Sequence, residues 1–351
     1  MSKQIDIPNT CFPWQRDVWQ HLQSMQARLP HALLLYGTRG IGKSQFAHYL
    51  AQSVLCEQPS AEGHPCDQCQ SCSWIKQYSH PDFRRIRPEN LEDEMSDAEG
   101  ADAGDKKSAK ASKAPSKEIL IDQIRALGDL MNVSTHRNGK RVILLYPAEA
   151  LNVPAANALL KSLEEPNPNT LFILVSHSID SLLPTIISRC HKLAMPMPTQ
   201  EQSLAWLQTQ SLANAASWLA QEGGSPLSAL QASQSEDVND YKEFIQALQT
   251  PDLSMALKLA EKMHKFDMSK TMRYLQCWIY DIFSFKQIGK IRYYPSHEKE
   301  LANLAAHTQL GHLLNVLKSM QDRQAISSHP LSPKLFLEEC LMEYIALFKK
   351  A

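Results

Sequence analysis

Between Pro30 and Cys190 the chain alternates short, almost wholly apolar runs with longer stretches of helical period. Residues 32–36 (ALLLY), 142–146 (VILLY) and 171–176 (LFILVS) have strand length. Such unbroken apolar runs suit strands covered on both faces. Residues 83–87 (FRRIR) alternate apolar and basic positions and predict a further strand. Helices separate these runs. Residues 44–56 (SQFAHYLAQSVLC) directly follow a glycine stretch, and 154–165 (PAANALLKSLEE) open with Pro154, whose fixed φ suits a first helical turn, and stop before Pro166. The alternation predicts a parallel, doubly wound α/β sheet with helices on both faces. From about Thr199 onward the strand-like runs cease. Residues 201–210, 214–222, 241–249, 254–266, 271–285, 301–326 and 332–350 place apolar side chains three and four positions apart, the period of amphipathic helices. Gly223, Gly224 and Pro226 interrupt this series and divide it into a small helical unit and a larger one. The expected domains are therefore 1–195, 196–235 and 236–351.

Residues 90–118 break the pattern. Acidic charges fill the first half, five lysines follow between Lys106 and Lys117, and no aromatic or β-branched residue occurs throughout. A segment of that composition buries too little apolar surface to offset its ordering entropy. It is expected to be a mobile surface loop, a tolerated insertion rather than an acidic/basic tether.

A length of 351 residues accommodates two or three domains, and 43% hydrophobic content is ordinary for a globular protein. No apolar run approaches the ~18 residues of a membrane span, and the first residues lack the apolar region of a secretory signal. A cytoplasmic location is expected. The formal net charge of -1 gives no reason to expect strong unaided binding to nucleic acid through the whole-chain field and leaves room for a local basic surface.

The eight cysteines are unevenly placed: Cys56, Cys66, Cys69 and Cys72 fall within 17 residues, whereas Cys11, Cys190, Cys277 and Cys340 are scattered and are expected to be buried packing residues. A tight cluster in a reducing compartment indicates metal before disulfides. Four thiolates from so short a segment form a closed tetrahedral site of the kind zinc favours, with no open position for catalysis. An iron–sulfur cluster uses similar spacing, but Lys76 stands where its fourth cysteine belongs. Unligated thiols are the third reading.

Gly37, Thr38, Arg39, Gly40, Ile41, Gly42, Lys43 and Ser44 complete the pattern G-x-x-x-x-G-K-[ST], between a predicted strand and a predicted helix. Backbone N–H groups of such a loop surround the β- and γ-phosphates of a nucleotide, Lys43 adds a positive charge and Ser44 can ligate magnesium. The bland alternative is a glycine turn beside an unrelated lysine. Hydrolysis further requires carboxylates at the end of a neighbouring strand, to hold the magnesium shell and polarise the attacking water. After 142–145 this chain has Tyr146 and Pro147 instead. Glu149 lies two residues beyond Pro147 and is expected to be a solvated turn residue, too far displaced to replace them.

The P-loop, the four-cysteine segment, HPDF (80–83), NALLKSLEEP (157–166), ISRC (187–190) and a helical C-terminus together resemble the AAA+ subunits of the bacterial DNA polymerase III clamp loader, over almost the whole chain. The resemblance implies an AAA+ P-loop domain with a zinc module at 56–72, a small helical lid and an all-α C-terminal collar. Missing carboxylates point away from the ATP-hydrolysing tau/gamma subunit and toward the family's delta-prime branch, which serves as a stator without intrinsic ATPase activity. The family's SRC motif falls on Ser188, Arg189 and Cys190. By resemblance, Arg189 is an arginine finger offered in trans to ATP on a neighbouring ATPase subunit; without the motif, a lone arginine would be read as a surface ion-pair partner. The implied partners are the tau/gamma and delta subunits and, through the complex, the sliding clamp (beta) and primed DNA. One departure concerns the nucleotide: some delta-prime subunits have lost the phosphate-binding lysine, whereas Lys43 and Ser44 are intact here. ATP or ADP with magnesium is therefore expected to bind without turnover. The rival readings are an active ATPase of the tau/gamma type and a zinc-containing nucleic-acid-binding module.

Overall fold

The computed structural model describes residues 11–25, 28–91, 115–131, 135–136, 139–327 and 332–348. Two compact units follow one another, the first ending at Pro198 and the second beginning at Thr199.

The first unit is built on a five-stranded parallel sheet of β1 (Ala32–Tyr36), β2 (Phe83–Ile86), β3 (Arg141–Leu145), β4 (Thr170–Ser176) and β5 (His191–Ala194), in the order β2-β3-β4-β1-β5. The three longest apolar runs form the centre. Because successive side chains of a strand point to opposite faces, one run serves two cores. Leu33, Leu35, Val142, Leu144, Ile173 and Val175 meet Phe46, Tyr49 and Leu50 of α2 (Lys43–Leu55) and Trp19 of α1 (Arg16–Ser24). The short helix α3 (Gln70–Lys76) packs on α2 and adds Ile75 to that core. On the other face Leu34, Ile143, Leu145, Phe172 and Leu174 meet Ile124 and Leu127 of α4 (Ile121–Met131) and Leu159 and Leu163 of α5 (Val153–Glu164). Asn152 caps α5, its side chain accepting the Ala155 amide at 2.9 Å, with Pro154 in the first turn.

β5 has no counterpart among the apolar runs. It is an edge strand of four residues in which only Leu193 is buried, so its sequence, HKLA, carries no hydrophobic signature. The insertion at 90–118 lies, over 92–114, outside the described residues. Its described ends meet, the Asn90 amide donating to the Ser116 carbonyl at 3.1 Å. Ile119 then pairs with Leu151 beside the sheet.

The first unit's last helix is the short α6 (Pro184–Ile187), and the second unit opens with α7 (Gln200–Thr209), α8 (Ala215–Gln221) and α9 (Pro226–Gln234). Helices α7 to α9 enclose a small core of Leu207, Leu219, Ala229 and Leu230. The larger core belongs to α10 (Val238–Ala247), α11 (Leu253–Met263), α12 (Met268–Ile288), α13 (Glu298–Ala306), α14 (Leu310–Ile326) and α15 (Pro333–Ala346). Trp278 sits fully buried within it, its indole N–H donating to the Tyr344 hydroxyl at 3.0 Å. Glu222, after α8, pairs with Arg273 and accepts from the Tyr274 hydroxyl at 2.9 Å, so α7 to α9 are tied to α12 within one compact unit. The periodic stretch 301–326 is two helices rather than one. Thr308 turns its hydroxyl back to the Ala305 carbonyl at 3.1 Å and Gln309 is extended, which ends α13 before α14 starts.

Among the scattered cysteines, Cys190, Cys277 and Cys340 are buried and Cys11 is half-buried. No described helix is long and apolar enough to cross a membrane.

Candidate functional site

The glycine loop leaves β1 at Gly37 and enters α2 at Lys43, as the motif requires. Gly42 has φ +85°, and a Cβ there would lie 2.5 Å from the Phe12 ring. Glycine is thus required both for the left-handed turn and for the approach of the segment before α1. Phe12 stacks on Trp14 with ring centroids 4.8 Å apart; the Trp14 indole N–H donates to the Ile41 carbonyl at 2.9 Å, and Gln15 donates to the carbonyls of Ile41 and Gly42, both at 3.0 Å. These residues brace the inner half of the loop. Thr38 and Arg39 at its tip are exposed. Lys43 is 3% exposed and donates to the carbonyls of Gly37 (2.7 Å) and Thr38 (2.6 Å). Burial lowers its ammonium pKa to about 8, against the opposing pull of the Glu149 carboxylate.

Tyr146 and Pro147 do follow β3, so no carboxylate occupies the two positions directly after it. Glu149 corrects the expectation of a solvated turn residue. Residues Ala148–Ala150 form a 3-10 turn at the end of β3, beside the end of β4. That turn folds Glu149 inward: one carboxylate oxygen accepts the His177 amide at 3.0 Å, and the other is buried without a protein partner. His177, directly after β4, contacts the Tyr146 hydroxyl through Nε2 at 3.4 Å, while its buried Nδ1 also lacks a protein partner. Burial, reinforced by Lys43 and Arg39, holds its imidazole neutral, with a pKa of about 3. Two buried polar atoms without a protein partner thus lie near Lys43, where water or a polar ligand can satisfy them. Sequence reasoning did not identify His177, because its pairing with Glu149 joins the ends of two strands 28 residues apart.

Cys56 ends α2, Cys66 lies in the following loop, Cys69 caps α3 and Cys72 is buried inside that helix. Their sulfurs all lie within 4.8 Å of one another. Cys56 and Cys69 are 3.9 Å apart, close to the ~3.8 Å spacing of a tetrahedron with 2.3 Å zinc–sulfur bonds. Amides of Cys66, Cys69 and Cys72 donate to the sulfurs of Cys56, Cys66 and Cys69 at 3.3, 3.3 and 3.4 Å. Such donors favour thiolates, and the Cys66 pKa is lowered to about 7, chiefly by the Gln68 amide, whereas burial raises the thiols of Cys56 and Cys72. The four cysteines can hold a metal ion. Their surrounding loop is anchored to the sheet domain: Trp19 donates to the Glu62 carbonyl at 3.2 Å, and Gln52 of α2 donates to Asp67 at 2.7 Å.

Ser188, Arg189 and Cys190 lie between α6 and β5. Cys190 packs into the core between β1 and α5, and burial raises its thiol pKa to about 11. Arg189 faces outward, donates to the Thr185 carbonyl at 2.8 Å and pairs with Glu164, the last residue of α5.

A parallel sheet of this order, with a P-loop running from β1 into α2 and helices after it, defines an AAA+ type of P-loop protein. The family described as DNA polymerase III, delta subunit matches residues 14–199, and its C-terminal counterpart matches 235–345. DNA polymerase III subunit delta' of Pseudomonas aeruginosa is 32% identical over 356 residues, spanning 96% of this chain and 98% of the relative. The same-named Haemophilus influenzae protein is 32% identical over 67% of this chain and 65% of its own length. Among solved structures, a DNA polymerase III gamma subunit-related protein of Thermotoga maritima is a weak likeness, with 16% identity, a TM-score of 0.38, and coverage of 94% of this chain and 99% of its own. The chain belongs to the DNA polymerase III delta-prime subunit family.

Proposed function

We propose that this chain is a clamp-loader stator that holds ATP or ADP with magnesium without turning it over, and that presents Arg189 to ATP on a neighbouring subunit. One observation carries the reading: a complete phosphate-binding loop stands beside a strand end that offers Tyr146 and Pro147 in place of the acidic pair. Nucleotide bound at Gly37–Ser44 would draw Lys43 from the Gly37 and Thr38 carbonyls to the phosphates, with loop N–H groups completing the cradle. Without a carboxylate directly after β3, nothing at that position polarises water. Arg189, anchored by buried Cys190 and facing outward, suits charge stabilisation in trans. The four cysteines would hold structural zinc, which joins the end of α2 to α3 and has no place in the reaction. The partners are the tau/gamma and delta subunits, with the sliding clamp and primed DNA reached through the complex. A net charge of -1 accords with DNA contact made by the assembly rather than by this chain alone.

Equilibrium binding of labelled ATP and phosphate release, measured on the same purified protein, test the reading. Binding without release, abolished by Lys43→Ala, is expected. The inward Glu149 supports a second reading, an ATPase of the tau/gamma type with a displaced carboxylate. It requires phosphate release that Lys43→Ala and Glu149→Gln both abolish.

A further inference from the structure

We infer that Glu164 is a positioning residue for Arg189, holding the guanidinium ready for transfer to the neighbouring subunit's ATP. The inference rests on the arginine-finger reading above. Glu164 occupies the last position of α5, with Glu165 as the C-cap. Two carboxylates at a helix C-terminus have the wrong sign for the helix dipole, so helix stability does not account for Glu164. Its position is nonetheless set firmly. Pro166 stops the helix, and the preceding Leu163 carbonyl is bonded to the His31 ring at 3.0 Å, at the start of β1. Arg189 is gripped from two sides: one terminal nitrogen donates to Thr185 O at 2.8 Å, and the other pairs with Glu164. The side chains of Arg189 and Glu164 are 33% and 49% exposed. Pairs so exposed add little to stability, which separates this contact from a role in folding. A guanidinium has five donors in a planar fork, so these contacts leave N–H groups for phosphate oxygens. Ordering the long arginine side chain beforehand removes entropy that would otherwise be lost at the moment of phosphoryl transfer.

The test is a double-mutant cycle in the loader assembled with clamp, primed DNA and its partner subunits, read as ATPase turnover. Arg189→Ala is expected to lower kcat. Glu164→Ala should lower kcat about three- to tenfold, with KM for ATP unchanged, because part of the arginine's rotamer freedom returns. Glu164→Gln, which keeps an accepting oxygen, should recover part of the loss. In the Arg189→Ala background, Glu164→Ala should do nothing further, and the melting temperature of the isolated Glu164→Ala chain should match that of the unmodified chain. If Arg189→Ala lowers kcat while Glu164→Ala does not, or if Glu164→Ala lowers it equally in both backgrounds, the positioning role is overturned and the finger stands. An unchanged rate with Arg189→Ala overturns the finger itself.

Discussion

Lys43 concentrates the chemistry of the proposed nucleotide site in one titratable group. Burial brings its pKa to about 8, and phosphates bind its charged form. Affinity for ATP is therefore expected to fall as pH rises from 7 through 9, and equilibrium binding at those values checks it. His177 and His48 titrate in the opposite range. Burial is the leading cause for both and places them at about 3 and about 4, against 6.5 for an ordinary histidine. Below pH 6.5 the unfolded chain binds protons that the folded one refuses, so stability is fully present above 6.5 and is lost as pH falls toward 4 and then 3. The slope is roughly 1 kcal/mol per pH unit for each group. Acid unfolding of His177→Asn, compared with the unmodified chain, should show a shallower loss between pH 6 and 4. An unaltered slope would mean that His177 is solvated.

At the scale of elements, the cysteine segment couples two helices through one set of side chains. Cys69 is both a ligand candidate and the cap of α3, its sulfur accepting the Cys72 amide. Cys69→Ser is expected to abolish bound zinc, measured as metal content, and to lower the first unit's melting temperature by several degrees. A strong chelator should reproduce the shift in the unmodified chain and leave Cys69→Ser unaffected. The cysteine cluster was legible because all four residues lie within one short stretch. The central strands were legible for a related reason: burial on both faces demands an apolar residue at every position. β5 demands only Leu193, and the break between α13 and α14 depends on a hydroxyl turned back to a carbonyl, which hydrophobic periodicity does not record.

Over the whole molecule, two units with separate cores place the glycine loop and Trp278 in different bodies. Trp278→Ala removes a fully buried indole and its bond to the Tyr344 hydroxyl, which keeps its own bond to the Leu248 carbonyl at 2.6 Å, at a cost of about 3–5 kcal/mol. Denaturant unfolding should register that loss in the helical unit, while ATP affinity stays unchanged. The sequence by itself determined the parallel sheet, the glycine loop between strand and helix, the cluster of four cysteines and the helical second half, since each is written in spacings of a few residues. Only the tertiary structure decided that Glu149 turns inward to His177, that Phe12 closes on Gly42, and that Glu164 takes hold of Arg189. Those partners lie about 25 to 30 residues apart along the chain. Periodicity reports which face of an element is buried; it does not report which distant side chain the fold brings against that face.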